Sequence, residues 1–257
     1  MKAKVPALIL AGSRPGGDPL ARHAGVPHKA AIPIAGRPML TRVAEALAGS
    51  DRVGEIAVSI DDPAAAGAAV GLGGLRVLPP ATTPSLSVAA AIKTLGTPLL
   101  VTTADHVLLL SGWVDHFLEH LPDAGVAVAV ARSEIVMAAA AETKRTFLRF
   151  RGGAYSGCNL FYFRDASALG AIEMWRRVEM HRKRPLKLLG VLGPIAVARH
   201  LLGRLTLEQA LAMLGQKAGT RIGVVEMPFG ESAIDVDKPD DLDLVERIIE
   251  RRAASAV

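Results

Sequence analysis

Short apolar runs alternate along the chain with longer stretches of helical spacing, a pattern that predicts strands interleaved with helices around a parallel-rich sheet. Val5–Ala11 is the first such run and turns at Gly12. Ile56–Ile60, Leu75–Leu78 and Pro98–Thr103 are further runs, each too short for a helix and bounded by acids, glycine or proline. Between them, Pro38–Gly49 reads as a helix with proline in its first turn. Asp61 and Asp62 stand where they would cap an Ala-rich helix, and Ser85–Leu95 is a third helical stretch. The result is a β-α-β-α-β-α-β unit of roughly 100 residues.

The second half is less regular. Trp113–Leu121, Ala166–His181, Lys187–Leu202, Leu207–Leu214 and Asp240–Arg251 read as helices, and Ala138–Ala141 as a helical Ala run. Val126–Ala131 and Ile222–Met227 read as strands, Thr146–Arg151 and Asn159–Arg164 as a pair around the turn Gly152-Gly153, and Ala233–Val236 as a short strand. No repeat, low-complexity tract or linker divides the chain, so one domain over residues 1–257 is expected.

Composition narrows the function classes. Of 257 residues half are hydrophobic, and mean hydropathy is +0.31, enough for a sizeable core. Cys158 is the single cysteine, which excludes an internal disulfide and a cysteine zinc site and fits a reducing compartment. No run reaches the roughly 20 apolar residues of a membrane helix, so a soluble, cytoplasmic protein is expected. The net charge of +5 suits anionic partners. With aromatics at 4% and no stacking platform, nucleic acid is disfavoured and small phosphorylated ligands are preferred.

The loop Leu10-Ala11-Gly12-Ser13-Arg14-Pro15-Gly16-Gly17 leaves a buried strand and is both glycine-rich and basic. Glycines let a backbone approach phosphates closely, while Arg14 and Lys29 could supply charge, the arginine as a fork and the lysine as a point charge. An ordinary strand-to-helix turn would also look like this. The P-loop pattern G-x-x-x-x-G-K-[ST] and the dinucleotide pattern G-x-G-x-x-G are both missing.

Two acidic points could hold a metal. Asp105 follows the apolar run Leu99–Thr103, at the strand end where open α/β sheets bind ligands. It could instead cap the next helix, although Ser111 is the nearer cap. Ala233-Ile234-Asp235-Val236-Asp237-Lys238-Pro239 repeats the strand-then-acid order, and in a strand Asp235 and Asp237 would share a face. Asp237 could also cap the last helix. Asp240, Asp241 and Asp243 read as solvated first-turn acids. One or two carboxylates plus phosphate oxygens suffice for Mg²⁺.

The order Leu10-Ala11-Gly12, then Pro27-His28-Lys29-Ala30, then Gly36-Arg37-Pro38-Met39 resembles the opening of the nucleotidyltransferases with a GT-A-like Rossmann fold. That group includes the MobA-like molybdenum cofactor guanylyl- and cytidylyltransferases, the sugar-1-phosphate nucleotidyltransferases and the cytidylyltransferase of isoprenoid synthesis. The resemblance implies an α/β, Rossmann-like, mostly parallel mixed sheet with helices on both faces. Residues to about 130 would form the nucleotide-binding half, about 131–232 an acceptor-side lobe, and 233–257 the closing metal motif and helix. It further implies that Leu10, Ala11, Gly12, Ser13, Arg14 and Lys29 cradle the triphosphate, with Arg22 competing for the arginine role. Asp105 would be the first metal ligand and Asp235 or Asp237 the second, for Mg²⁺ or Mn²⁺, with Arg14, Lys29 and Asp105 as the catalytic set.

The same resemblance places Ser87, and then Ser85, beside the nucleobase, and Gly157 and Asn159 on the acceptor side; helix caps and a plain strand are the alternatives. The basic stretch from Arg176 to Lys187 could receive an anionic acceptor or touch acidic lipid headgroups, with Lys183 and Lys187 foremost, or could be a solvated helix end. The expected reaction joins the NMP of an NTP, GTP or CTP first, to a phosphorylated acceptor of molybdopterin, sugar or polyol type, releasing pyrophosphate. A GT-A glycosyltransferase and a non-catalytic nucleotide-binding domain are the rival readings. A glycosyltransferase would carry a second acid two residues before Asp105, where Thr103 stands.

Overall fold

In the computed structural model, which describes residues 4–13, 16–67, 74–181 and 193–255, the first apolar run forms β1 (Val5–Leu10) inside an eight-stranded sheet. A separate two-residue pair, β2 (Pro33–Ile34) and β3 (Arg37–Pro38), leads into the first long helix. β4 (Val53–Ser59) and β6 (Leu99–Thr103) flank β1 in parallel, and β5 (Arg76–Leu78) extends the sheet beyond β4. β9 (Gly153–Phe163) lies antiparallel between β6 and β7 (Val126–Arg132), and β8 (Leu148–Phe150) folds onto β9 through Gly152 and Gly153, both at positive φ. β10 (Ile222–Glu226) completes the far edge parallel to β7, giving the order β10-β7-β9-β6-β1-β4-β5 with β8 on β9.

The central strands are continuously apolar because both sheet faces are covered. Ala7 and Ile9 of β1 point into one core, with Val43 and Leu47 of α2 (Met39–Ala48), Phe117 of α4 (Ser111–Glu119) and Val245 of α9 (Pro239–Ala254). Leu8 points the other way, into a second core with Val88 of α3 (Pro84–Leu95), Ile172 of α6 (Ala168–His181) and Ala218 of α8 (Leu207–Ala218). The period of two along β1 thus divides its side chains between two layers of helices. The fold is the expected α/β, mostly parallel mixed sheet covered on both faces. Among the described residues the remaining short α-helices are α1 (Pro19–His23), α5 (Ser133–Ala139) and α7 (Pro194–Leu201).

Three local expectations need correction. Ala233–Val236 is not a strand: a 3-10 turn spans Gly230–Ala233, and among the described residues the segment after it pairs with no strand. Val236 N–H donates to the Asp105 carbonyl at 3.1 Å, which ties this segment to the Asp105 turn. Ser111 opens α4 rather than capping it, and the cap position is Leu110, which has no side-chain oxygen to offer. Asp62 does cap the turn after β4, accepting from Ala64 N–H at 2.9 Å, but that turn begins as a 3-10 helix over Pro63–Ala66.

Candidate active site at the carboxyl edge of the sheet

The parallel strands β1, β4 and β6 all end at one edge, so the segments that follow them meet there. Ala11 N–H donates to Ser59 O at 2.9 Å and Ala104 N–H to Leu10 O at 2.9 Å, which ties the three strand exits together. Gly12 opens the loop beside β5: a Cβ there would stand 3.3 Å from Pro80 Cβ, tighter than ordinary packing. The next N–H, of Ser13, donates to Asp61 Oδ1 at 2.8 Å.

Asp61 also accepts from His28, whose Nε2 lies 3.3 Å away. The other ring nitrogen, Nδ1, accepts from Ala30 N–H at 3.0 Å and so caps the 3-10 turn Lys29–Ala31. With Nδ1 an acceptor, the proton sits on Nε2, which makes His28 the donor to Asp61. Burial raises the Asp61 carboxyl, but the Ser13 N–H and His28 outweigh it and hold its pKa below the ordinary range. The chain Ser13–Asp61–His28 therefore fixes both the glycine loop and the turn that carries Lys29.

Lys29 projects from that turn into the cleft. Its Nζ is 2.9 Å from Asp105 Oδ2 and 2.9 Å from Asp237 Oδ1. Burial disfavours the ammonium, but the two carboxylates prevail and hold its pKa above the usual lysine range. Asp105 is oriented by Thr103, whose hydroxyl donates to Oδ1 at 2.5 Å. Asp237 is held from below by Asp241, whose Oδ2 accepts from the N–H groups of Asp237 and Lys238, each at 2.9 Å. Asp241 is thus a positioning acid rather than a merely solvated one. Asp240 pairs with Lys144 at 2.7 Å.

Asp235 and Asp237 part ways because their segment is not a strand. Asp235 is buried, accepting from Asn159 Nδ2 at 2.9 Å and from the guanidinium of Arg145. Burial raises the Asp235 carboxyl, Arg145 lowers it, and the charges of Asp105 and Asp237 raise it further. Asn159 sits where the register of β9 against β7 shifts, in a left-handed conformation with φ 49. Such a bulge re-aims a side chain, here inward onto Asp235. Gly157, two residues earlier, is exposed, and a Cβ there would meet nothing within 4 Å.

The model of the MobA-like NTP transferase domain matches residues 7–221 of the chain. The chain belongs to that family. As a MobA-like transferase it is an enzyme of the nucleotidyltransferase class. Among solved structures it is similar to a hypothetical transferase from Thermus thermophilus, at 30% identity and a TM-score of 0.82, over 93% of this chain and 99% of that one. The fold is shared with CMP:2-keto-3-deoxy-manno-octonic acid synthetase complexed with CTP, at 15% identity and a TM-score of 0.56, over 98% of this chain and 100% of that one. It is also shared with a 2-C-methyl-D-erythritol 4-phosphate cytidylyltransferase, likewise from Thermus thermophilus, at 20% identity and a TM-score of 0.53, over 95% of this chain and 98% of that one. No curated protein matches the chain.

The remaining predicted positions of this MobA-like transferase fall in four groups. Arg14, Lys183 and Lys187 lie outside the described residues. Arg22 turns back to donate to Gly16 O at 2.8 Å, bracing the glycine loop. Ser85 and Ser87 are buried: Ser85 Oγ donates to Glu179 of α6 at 2.5 Å, and Ser87 Oγ accepts from Ala81 N–H at 2.9 Å. Leu10 and Ala11 serve the loop through their backbone at the strand exit.

Two other reactive side chains near the cleft are closed off. Burial pushes the Cys158 thiol up to about 12, and Ser232 Oγ donates to its sulfur at 3.3 Å. His106 is fully buried, and burial pushes its imidazole down to about 4, which leaves it neutral and remote from proton transfer with solvent.

The donor set fits a hard divalent cation. Asp105 and Asp237 present oxygens on either side of one cation, the Lys29 ammonium, with exposures of 22% and 50% that leave them reachable from solvent. Among the described residues no three His, Cys, Asp or Glu side chains form a complete cage. A cation held by two carboxylates and completed by phosphate oxygens and water needs none. No helix among the described residues is long and apolar enough to cross a membrane.

Proposed function

We propose that this enzyme transfers an NMP group from an NTP, GTP or CTP first, to a phosphorylated small-molecule acceptor, with Mg²⁺ or Mn²⁺ and release of pyrophosphate. The observation that carries this reading is the meeting of Lys29 with both Asp105 and Asp237, from three distant segments, beside the glycine loop. A molybdopterin-type acceptor comes first and a sugar or polyol phosphate second, in a cytoplasmic setting where nucleoside triphosphates are available.

Asp105 and Asp237 would hold the cation, whose charge would screen the phosphates. Gly12 and Ser13 would admit the triphosphate close to the backbone, on a loop held by Asp61 and His28. An acceptor phosphate oxygen attacks the α-phosphorus, the bond from that phosphorus to the bridging oxygen breaks, and pyrophosphate leaves with the electron pair. Lys29 would neutralise the triphosphate as that charge departs. No protein nucleophile enters, in keeping with the closed states of Cys158 and His106.

The test is pyrophosphate release with each of four NTPs over a panel of phosphorylated acceptors, with and without Mg²⁺. Release that needs one NTP, one acceptor and the metal together supports the reading. NTP binding without turnover on any acceptor would point to a regulatory domain, and consumption of a nucleotide sugar to a glycosyltransferase.

A further inference from the structure

Residues 142–145, in the segment between α5 and β8, make three ion pairs with the closing segment of the chain. Glu142 pairs with Arg247, Lys144 with Asp240 at 2.7 Å, and Arg145 with Asp235. Two of these fasten the segment to α9, while the third sets a guanidinium against Asp235, two residues before Asp237. Arg145 retains 21% side-chain exposure and Asp235 only 10%, so the arginine is the more accessible member of the pair.

The Arg145 Nη1 group is committed to Asp235, but its Nε–H is buried with no hydrogen-bond partner. An unpartnered donor on a side chain that is still partly exposed is available to an acceptor that arrives from outside. The local geometry states what kind. Asp235 accepts from Arg145 and Asn159, lies near enough to Asp105 and Asp237 to feel their charges, and Val236 N–H holds this stretch against the Asp105 turn. Arg145 therefore stands beside the acid two residues before Asp237. A guanidinium offers adjacent N–H groups in a plane that matches two oxygens of one phosphate.

On the reading given above, we infer that Arg145 binds the phosphate of the acceptor, held ready by Asp235 and Asn159. Asp237 is then the carboxylate that joins Asp105 at the metal, and Asp235 is a positioning residue for the arginine. The acceptor is a phosphate monoester whose oxyanion is fixed at the Asp235 side of the cleft, facing the α-phosphate held at the Lys29 side. The inference needs no contact from the basic stretch around Lys183 and Lys187.

The experiment measures two affinities in the full chain. Inorganic phosphate is titrated by calorimetry in the presence of Mg²⁺ and a non-hydrolysable NTP analogue, and the analogue is titrated separately. Arg145→Ala is expected to weaken phosphate by about tenfold or more while the analogue stays within about twofold. Arg145→Lys should recover part of the phosphate affinity, which a purely structural arginine would not require. Arg145→Ala with Asp235→Asn removes the unpaired buried acid and should bind phosphate as weakly as Arg145→Ala alone, which separates ligand loss from misfolding. Phosphate affinity equal to wild type in Arg145→Ala, or in the double variant, overturns the inference. Failure of the wild-type chain to bind the analogue at all would reject the nucleotidyltransferase reading instead.

Discussion

Lys29 and Asp237 lie 208 positions apart and meet at 2.9 Å. The same ammonium reaches Asp105, so the beginning, middle and end of the chain converge on one point. In the free enzyme Lys29 therefore serves as the counter-ion of two carboxylates that would otherwise repel each other. On the proposed reaction, binding a metal and a triphosphate would exchange partners: the carboxylates would take the metal and the lysine would take phosphate.

Lys29→Met should separate those two roles. Affinity for an NTP with Mg²⁺ is expected to fall about tenfold or more, since a point charge facing phosphate is gone. Affinity for Mn²⁺ alone should rise, because the carboxylates lose their internal cation. Equilibrium dialysis with each ligand in turn checks both directions, and a parallel loss of both would contradict the exchange.

Asp61→Ala should loosen the glycine loop without touching the carboxylates. Asp61 accepts from Ser13 and His28 at once and is half exposed. A rise of about 3- to 10-fold in KM for the NTP is expected, with about 1 kcal/mol lost from stability in urea unfolding. An unchanged KM would show that the loop keeps its shape without this acid.

The buried His106 predicts acid sensitivity. Its imidazole titrates near 4 in the folded chain, against about 6.5 when unfolded. The unfolded state therefore binds the proton more readily, so this contribution is fully present above about pH 6.5 and is lost as pH falls towards 4. The charge of Asp105 and a backbone group of Ser232 favour the charged ring but do not offset its burial. His106→Leu should flatten the fall of unfolding free energy between those pH values. An identical slope in both proteins would remove His106 as the cause.

The strands and the first half of the candidate site are legible in the chain because apolar runs mark the strands and polar residues gather just beyond their ends. Asp105 comes straight after Leu99–Thr103, and Lys29 stands between the glycine loop and the turn at Gly36. Asp61 follows β4 in the same way, but beside Asp62 it reads only as a cap, and its bond to Ser13 spans 48 positions. Asp235 and Asp237 have the spacing of one strand face, yet alternation cannot tell a paired strand from a lone extended segment. Only the sheet pairing shows that the two acids serve different neighbours. Arg145 was hidden for another reason: it lies in a polar stretch between α5 and β8 with no periodicity, and its meaning depends on an acid 90 positions away. Ser85 likewise gave no hint of Glu179, 94 positions distant on another helix.

Asp235→Asn and Asp237→Asn divide the closing motif by function. Asp237→Asn is expected to lower kcat by about 100-fold or more with either metal, as loss of a charge-stabilising ligand does. Asp235→Asn keeps the shape and one acceptor oxygen, so its main effect should fall on KM for the acceptor. Steady-state kinetics with both substrates varied distinguish the two patterns, and the reverse assignment would exchange the roles of these acids.

The most direct measurement is a Mn²⁺ titration by electron paramagnetic resonance in the presence of a non-hydrolysable NTP analogue. One tightly bound ion per chain is expected in the wild type and in Asp235→Asn, and is expected to be lost in Asp105→Asn and Asp237→Asn. Tight nucleotide-dependent binding that survives in Asp105→Asn and Asp237→Asn alike would mean that the carboxylates around Lys29 are not the metal site.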